Sequence, residues 1–354
     1  MEPVFFIGNR KLCINENPLL IAEIGINHSG SLDIAKSMVD AAYRAGIEVI
    51  KHQTHIPSDE YSLEGQKSIP GNSNKSILEI MESCALSEDD EYELYKYTKS
   101  KNMIFISTPF SKKALERIVD FDLPAIKIGS GECSNYPLLR EIGSYSKPVI
   151  LSTGMNNITS IQKAINNLEL EESKLALLHT TNLYPTPYDH VRLSAMIDLH
   201  KNFPSYIYGL SDHTVDSISS LGAVALGASI IERHFTDHKK RIGPDICCSM
   251  DEKDAKRLVI DLITMKECLS PGAIKEAHPN EQVTINFAFA SVVSIQDIHQ
   301  GEFFSHENIW VKRPGTGEIS AENLEKIIGK KAKSFIPKNT QLKWNQVINN
   351  NLKK

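Results

Sequence analysis

The sequence lacks several features that would point to other classes of protein. No apolar run in its 354 residues is long enough to cross a bilayer, since the longest, around residues 221–231, is short and rich in Gly and Ala. The net charge is −5 and there is no basic run, which argues against nucleic-acid and membrane-surface partners. The first residues contain neither the basic nor the apolar region of a signal peptide, and the six cysteines form no CxxC pair. We therefore expect a cytoplasmic protein with free thiols.

The glycine fingerprint of dinucleotide-binding folds is incomplete. The stretch from Gly129 to Ser134 nearly matches GxGxxG, but Ser134 stands where the third glycine belongs. No acidic residue follows about twenty positions later to bind a ribose. An open doubly wound sheet is therefore only the second choice for the fold.

Short apolar segments alternate with segments of helical periodicity through the first three quarters of the chain. The apolar segments are residues 19–25, 47–53, 103–109, 125–131, 148–154, 175–181, 207–213 and 229–235. The first segment between them begins after Ser31, a good helix N-cap, and ends at Gly46, a good helix terminator. Eight strand–helix units within about 250 residues predict a closed (β/α)8 barrel, the TIM-barrel fold of the α/β class.

The composition changes after Leu269. Residues 271–285 are rich in Pro, Gly and polar side chains, so we predict a linker between a barrel domain at 1–270 and a small domain at 286–354. The small domain has short strand-like segments, glycine turns and one short helix. At roughly 65 residues it is small for independent stability, and we expect it to pack on another surface.

Polar side chains stand at the end of every predicted barrel strand, which is where TIM-barrel active sites lie. In "SIIERHFTD", Glu232 and His234 lie two residues apart and point to one side of the strand, whereas Arg233 points to the other. The other strand ends carry Glu23, Lys51, Gln53, Thr108, Lys127, Ser130, Glu132, Ser152, Asn182, Ser211 and His213. Any one of these alone is more often a cap, a surface group or a satisfied core residue, but together they indicate an active site.

The residue types at the strand ends predict two kinds of ligand. Lys51, Lys127 and the neighbouring hydroxyls are donors that suit a small, multiply anionic molecule, phosphate in particular. His213 and His234, on neighbouring strands with carboxylates nearby, suit a divalent metal. Imidazole ligands favour manganese, iron or zinc over magnesium or calcium.

Several long motifs are specific: "IAEIGINHSGSLDIAKSMVDAA", "VIKHQTH", "FISTPF", "KIGSGECSNYPLL", "LSTGMN", "NLYPTP", "GLSDHT", "ERHFTD" and "GPDICCSM". Together, along residues 5–348, they resemble the N-acetylneuraminate (sialic acid) synthases. The C-terminal "NIWVKRPGTG" resembles part of their antifreeze-like (SAF, β-clip) domain. The resemblance implies a TIM barrel followed by a SAF domain. It also implies an enzyme that condenses phosphoenolpyruvate with N-acetylmannosamine and water, giving N-acetylneuraminate and phosphate by C–O cleavage.

The resemblance further implies a divalent metal, most often Mn²⁺ with Mg²⁺ or Co²⁺ as substitutes, and a domain-swapped homodimer that serves cell-surface polysaccharide biosynthesis. It assigns catalysis to Glu23, Glu132, Glu232 and Lys51, and metal binding to His213 and His234. Phosphoenolpyruvate binding is assigned to Lys51, Thr108, Lys127, Ser130, Ser152, Asn182 and Ser211. Sugar binding is assigned to Gln53, Tyr184, Asp245, Phe287 and Arg313, the last reaching in from the partner chain.

Three alternatives stay open at this point. A sister synthase would take a different acetamido sugar to make legionaminic or pseudaminic acid, although the match at "KHQTH" and "NLYPTP" favours N-acetylmannosamine. A Schiff-base aldolase would use Lys127 or Lys51 as its amine. A non-enzymatic ice- or carbohydrate-binding protein is suggested by the antifreeze-like domain, but the ring of ionisable residues argues against it.

Overall fold

The chain forms two compact units, Met1–Pro271 and Gly272–Lys354. The computed structural model describes residues 2–69, 74–270 and 272–348. Within these residues, no helix combines the length and the apolar character that crossing a membrane requires.

The first unit is a closed barrel preceded by an antiparallel hairpin of β1 (Phe5–Ile7) and β2 (Arg10–Leu12). The barrel strands are β3 (Leu19–Gly25), β4 (Val49–Thr54), β5 (Ile104–Pro109), β6 (Ile126–Ile128), β7 (Val149–Ser152), β8 (Leu175–Thr180), β9 (Ile207–Asp212) and β10 (Ile230–His234). Each strand pairs in parallel with the next, and β10 pairs back with β3. The predicted (β/α)8 barrel is confirmed, and the alternative of an open doubly wound sheet is wrong.

Helices surround the barrel and connect its strands. They are α1 (Leu32–Ala45), α2 (Pro57–Glu60), α3 (Ile77–Cys84), α4 (Glu88–Ser100), α5 (Lys112–Asp120), α6 (Tyr136–Ser144), α7 (Ile158–Leu168), α8 (Tyr188–Val191), α9 (Leu193–Asn202), α10 (Ile218–Ala225) and α11 (Glu252–Leu269). As predicted, Ser31 caps α1 by accepting from the N–H of Ile34, and Gly46 ends it with a left-handed φ of 84°. Local capping chemistry thus fixes where this helix starts and stops.

The predicted fourth barrel strand is shorter than the apolar pattern indicates. We expected residues 125–131 to be extended, but β6 ends at Ile128 and a 3-10 helix covers Ser130–Ser134. The sequence Gly129-Ser130-Gly131 explains the difference, because glycine and serine favour turns over continued strand. Residues after Gly129 therefore do not follow the alternation of a strand.

The barrel interior changes from apolar to polar along each strand. Its lower part is a cluster of buried apolar side chains that includes Ile21, Val49, Ile106, Ala125, Ile150 and Ile230. Two residues further along the same strands stand Glu23, Lys51, Thr108, Lys127, Ser152 and Glu232, all buried. Since side chains alternate in a strand, these polar groups continue the inward face and fill the C-terminal end of the barrel.

The second unit contains α12 (Gln282–Ala288), three short 3-10 helices and two short antiparallel strand pairs. The strands are β11 (Ser291–Ser294), β12 (Ile309–Lys312), β13 (Lys331–Ala332) and β14 (Val347–Ile348). Helix α12 begins inside the segment that the composition predicts to be a linker. The core contains Val292, Ile309 and Leu342, whereas Phe287 and Phe289 are more than 60% exposed.

Candidate active site

Four ionisable side chains meet inside the C-terminal end of the barrel. Glu23, Lys51, Lys127 and Glu232 are each at most 5% exposed. Lys51 forms an ion pair with Glu23, and its Nζ lies 3.6 Å from Glu232 Oε1. The Nζ of Lys127 lies 3.7 Å from the same carboxylate oxygen. The strand ends β3, β4, β6 and β10 thus bring together two cations and two carboxyl groups, as the sequence predicts.

Three hydroxyl groups extend this buried cluster. Lys127 Nζ donates to Ser152 Oγ at 2.7 Å, and Lys51 Nζ donates to Thr108 Oγ1 at 3.4 Å. On the far side, Ser211 Oγ donates to Glu232 Oε1 at 3.1 Å. Cations with adjacent hydroxyl donors can bind the oxygens of a phosphate or a carboxylate.

The surroundings shift the pKa values of the clustered side chains in different directions. Burial raises the pKa of Glu23 to about 7, against the lowering effect of Lys51, and the nearby carboxylate of Glu232 raises it further. Burial lowers the pKa of Lys127 to about 8. Burial alone would also raise the pKa of Glu232, but Lys127 and Lys51 outweigh it and hold that pKa below its usual value. Near neutral pH, Glu23 can therefore gain or lose a proton, while Glu232 stays ionised.

A second polar group surrounds the backbone of Gly154, two residues after Ser152. The N–H of Gly154 donates to Ser130 Oγ at 3.0 Å. A Cβ atom at this glycine would lie 1.9 Å from Asn182 Oδ1 and 2.9 Å from Ser130 Oγ, so any side chain here would displace the Asn182 amide. Asn182 Oδ1 is buried and has no hydrogen-bond partner among the described residues. An unpaired buried amide oxygen indicates a place where a ligand completes the bonding.

The two predicted metal-binding histidines face each other across β9 and β10. The ring centroids of His213 and His234 are 5.3 Å apart. His213 Nδ1 donates to the carbonyl oxygen of Thr181 at 2.8 Å, which leaves Nε2 with an available lone pair. Burial lowers the pKa of His213 to about 4 and that of His234 to about 3. Both rings are therefore neutral near pH 7, which is the form that binds metals.

The histidine pair fits a divalent ion only in combination with other ligands. Across residues 2–69, 74–270 and 272–348, no three His, Cys, Asp or Glu side chains are arranged to hold a metal. His234 Nδ1 lies 3.6 Å from Asp245 Oδ2 and has no hydrogen-bond partner in this part of the chain. Two neutral imidazoles with open positions suit a catalytic ion that also binds water or substrate. Metal binding by this pair stays a prediction.

A cavity of about 730 Å³ adjoins the histidine pair. Five of the predicted site residues line it, namely Gln53, Asn182, Tyr184, His234 and Asp245. The Tyr184 ring lies 4.2 Å from the His213 ring, centroid to centroid. A volume of this size is typical of a pocket for a small molecule such as a monosaccharide.

Sequence reasoning missed several residues that line the same cavity. His55 contacts Glu60 Oε2 through Nδ1 at 2.8 Å and Gln53 Oε1 through Nε2 at 3.0 Å. Its ring stacks on Phe110 with centroids 4.5 Å apart. His55 follows Gln53 by two residues in "KHQTH", so the alternation that selected Gln53 could also have selected His55. Ile80 of α3 could not be found in this way, because α3 does not follow a strand end.

Three further predicted site residues remain, Glu132 of the barrel unit and Phe287 and Arg313 of the second unit. Glu132 is in the 3-10 helix that replaces the predicted strand end, accepts from Asn135 Nδ2 at 2.7 Å, and is not part of the Lys–Glu cluster. Burial and the neighbouring Glu60 raise its pKa. Phe287 and Arg313 belong to the second unit, where the guanidinium carbon lies 5.9 Å from the centre of the Phe287 ring.

Comparison with known proteins identifies the family. The profile of the NeuB family matches residues 38–273, and the profile of the SAF domain matches residues 289–348. The chain belongs to the NeuB family. The resemblance to the sialic acid synthases and the predicted SAF domain are thereby confirmed.

The relatives of this NeuB family member include synthases of different acids. The N,N'-diacetyllegionaminic acid synthase of Campylobacter jejuni is 37% identical, over 88% of this chain and 95% of that protein. The pseudaminic acid synthase of the same organism is 32% identical, over 90% of this chain and 93% of that protein. The N-acetylneuraminic acid (sialic acid) synthetase from Leptospira borgpetersenii, in complex with citrate, has a TM-score of 0.73 at 28% identity. The match covers 80% of this chain and 96% of that one.

Proposed function

We propose that the chain is an N-acetylneuraminate synthase that condenses phosphoenolpyruvate with N-acetylmannosamine and water. The observation that supports this most is the buried pairing of Lys51 and Lys127 with hydroxyl donors beside a sugar-sized cavity. The reaction would occur in the cytoplasm, in a metal-dependent homodimer. Family membership supports the reaction class, and the site chemistry supports an anionic donor.

Phosphoenolpyruvate would occupy the inner part of the site. Lys127, Ser152 and the group around Gly154 would bind its phosphate, while Lys51 and Thr108 would bind its carboxylate. In the free protein, Glu23 pairs with the Lys51 ammonium group, and Ser152 and Glu232 lie beside that of Lys127, which keeps both groups in place before the substrate arrives. The donors are therefore already aimed at the ligand, and little reorganisation is needed when it binds.

The acceptor would lie in the cavity against Gln53, Tyr184 and Asp245. The methylene carbon of phosphoenolpyruvate attacks the aldehyde carbon of the open-chain sugar. The aldehyde oxygen becomes a hydroxyl group by taking a proton from solvent, and the proton lost from the water that adds later balances it. A divalent ion held by His213 and His234 would supply Lewis-acid polarisation of the aldehyde.

Water then adds to the central carbon of the donor, and the bond between that carbon and the bridging oxygen breaks as phosphate leaves. Glu23 is suited to remove the proton from this water, because its pKa of about 7 matches the operating pH of a general base. Lys127 stabilises the departing phosphate by its positive charge.

Mass spectrometry of the product, made from phosphoenolpyruvate and a panel of acetamido sugars, tests this proposal. N-acetylmannosamine should give N-acetylneuraminate and one equivalent of phosphate, and its epimer N-acetylglucosamine serves as the control acceptor. With ¹⁸O in the bridging oxygen of phosphoenolpyruvate, the label should leave with phosphate. A label retained in the sugar acid would instead indicate P–O cleavage and contradict the proposed steps.

Synthesis of N,N'-diacetyllegionaminate is the second candidate. The 37% identity to a legionaminate synthase favours it, as does the apolar wall that Ile80, Met81 and Phe110 give to the cavity. Such a wall suits the additional acetamido methyl group of a diacetamido sugar. The same panel separates the two candidates, since the preferred acceptor is the one with the higher kcat/KM.

The lowered pKa of Lys127 also keeps the Schiff-base aldolase under consideration. A lysine with a pKa of about 8 is more often neutral and hence more nucleophilic than an exposed one. Against this chemistry, Ser152 and Glu232 both contact the Nζ atom in ways that favour the charged ammonium group. Borohydride treatment in the presence of pyruvate should leave the protein unlabelled, whereas a covalent adduct at Lys127 would support the aldolase.

The metal assignment needs a separate variant. His213→Gln combined with His234→Gln should abolish metal-stimulated turnover while leaving the thermal unfolding transition in place. His200→Gln is the matched control, because His200 lies away from the cavity and stacks on Tyr208. Full, chelator-insensitive activity in the double variant would refute the assignment.

A further inference from the structure

An outward-facing ion pair lies directly beside both histidines. Asp212 of β9 and Arg233 of β10 are register partners, and His213 and His234 are the next residues along the chain. Ser211 and Glu232 bond to each other inside the barrel. Since side chains alternate along a strand, Asp212 and Arg233 point away from the interior.

The ion pair belongs to a dense, buried hydrogen-bond cluster, in which Asp212 and Arg233 are each only 2% exposed. Asp212 Oδ2 accepts from Arg233 Nη1 at 2.7 Å and from the hydroxyls of Ser219 and Ser220 at 2.6 Å each. Asp212 Oδ1 accepts from the N–H of Thr214 at 2.9 Å, and Arg233 Nη2 donates to the Thr214 carbonyl at 2.6 Å. The cluster thus joins β10, the end of β9, the following loop and the start of α10.

This cluster fixes the backbone on both sides of His213. The residue before it is Asp212 and the residue after it is Thr214, and both belong to the cluster. The His213 ring is then oriented by its bond to the Thr181 carbonyl at 2.8 Å. His234 follows Arg233 directly, and its own carbonyl accepts from the N–H of Met250 at 2.9 Å.

Stability alone does not explain why this cluster occupies the core. Removing a guanidinium and a carboxylate from water carries a large desolvation penalty, and apolar residues of similar size often give equal or greater stability. Apolar residues could not bond the Thr214 carbonyl or the two serine hydroxyls, however. A planar guanidinium can form hydrogen bonds with several groups at fixed angles, so the contribution of Arg233 is to fix the positions of the groups that it contacts.

We propose that Asp212 and Arg233 are positioning residues for the metal pair. They set the separation and orientation of His213 and His234 without contacting the ion, and the affinity for a divalent metal depends on them. This inference rests on the proposed function, in which the two histidines bind that metal. Outer hydrogen-bond partners that hold metal-binding histidines commonly change metal affinity by about 10- to 100-fold.

Direct measurement of Mn²⁺ binding tests the proposal without relying on turnover. Arg233→Lys keeps the charge but loses the fork that reaches the Thr214 carbonyl, so the Kd for Mn²⁺, from the EPR signal of the free ion, should rise about 10-fold or more. Arg117→Lys is the matched control. Arg117 also pairs with a buried carboxylate, Glu91 at 3.2 Å, but lies on α5 away from the histidines. This variant should bind Mn²⁺ with the wild-type Kd even if its Tm falls.

Each other outcome is decisive. An unchanged Kd in folded Arg233→Lys overturns the proposal, and so does an equal weakening in Arg117→Lys, which would indicate general loosening. Should Arg233→Lys fail to fold, Ser220→Ala removes a single donor from the cluster, and an unchanged Kd there overturns the proposal equally. If wild-type binding is absent or survives in the His213→Gln, His234→Gln double variant, the proposed metal function itself fails. Failure of the metal function thus shows in the wild type and the double histidine variant, whereas the positioning role is judged from the Mn²⁺ affinity of the Arg233 and Ser220 variants.

Discussion

Replacing Lys127 tests the binding of the phosphate group of phosphoenolpyruvate. Its Nζ donates to Ser152 Oγ at 2.7 Å and to the Ile128 carbonyl at 3.1 Å, and the third N–H has no hydrogen-bond acceptor among the described residues. Directed at a phosphate oxygen, that N–H would form a charge-assisted hydrogen bond of about 1.5–3 kcal/mol. Lys127→Met removes the charge and keeps the apolar stem, so kcat/KM for phosphoenolpyruvate should fall about 10- to 150-fold at neutral pH.

The pH dependence of kcat/KM is a second test of the role of Lys127. Burial lowers the pKa of Lys127 to about 8, so the ammonium group is present below that pH and is lost above it. Because kcat/KM reports the free enzyme, it should decline above pH 8 as Lys127 loses its charge, and separately below about pH 7 as Glu23 becomes protonated. A bound phosphate favours the charged form, so kcat, which reports the complex, should decline only at higher pH.

Two variants serve as controls for the Lys127 experiment. Lys127→Arg retains its charge to about pH 12, so the decline of kcat/KM near pH 8 should disappear even if the rate is lower. Lys163→Met removes an exposed lysine of α7 and should match the wild type. Initial rates of phosphate release at saturating acceptor provide the assay. The reasoning is refuted if Lys127→Met retains kcat/KM within about two-fold of wild type, or if Lys127→Arg keeps the decline near pH 8.

Three other experiments test separate parts of the molecule. Gly154→Ala would place a Cβ 1.9 Å from a site asparagine and should raise the KM for phosphoenolpyruvate about tenfold or more. Gly131→Ala is the control, because its Cβ meets nothing within 4 Å and its KM should not change. Steady-state kinetics of both variants test this expectation. Burial alone would raise the pKa of Glu91, but the surrounding histidine, threonine and arginine side chains hold it below its usual value. The ionised side chain therefore stabilises the fold above the ordinary glutamate pKa, and this stabilisation is lost as the pH falls through the lowered pKa of Glu91. The free energy of unfolding, measured with urea at several pH values, should depend less on pH in the acid range for Glu91→Gln than for the wild type. An unchanged pH dependence contradicts this. Mixing inactive Arg313→Ala and Lys127→Ala chains should restore about a quarter of wild-type activity if Arg313 acts across a two-fold dimer. Demonstrated subunit exchange with no recovery would contradict that arrangement.

Apolar patterning was sufficient to predict the barrel and much of the candidate site. Every predicted strand corresponds to an observed one, and the inward faces of β3, β4, β6 and β10 bring Glu23, Lys51, Lys127 and Glu232 together as the alternation requires. The strand-end assignment failed at Glu132, because Gly129 and the residues after it leave the strand for a 3-10 helix. Strand-end reasoning works only where the backbone remains extended.

The cavity wall formed by α3 was not predictable by the same rule. Ile80 and Met81 line the cavity from a helix that lies between β4 and α4, so no strand register connects them with the site. Their apolar character also resembles that of any core-facing helix position. A contact that depends on where an inserted helix docks is set by tertiary packing, and a single sequence carries little information on it.

Consecutive polar residues at the ends of buried strands indicate a functional site more strongly than isolated polar residues do. A strand with one face in water needs partners for polar groups on one face only, but a barrel strand is buried on both faces, so each polar residue needs a partner on its own side. His52 lies between two inward-facing site residues and contacts Glu91 at 3.2 Å on the outer side, just as Asp212 and Arg233 pair at 2.7 Å outside the histidines. The inward residues of such a triplet can serve the ligand, while the middle one holds the strand end against the surrounding helices. A run such as "ERH" or "KHQ" after an apolar strand therefore indicates both a functional site and the support that positions it.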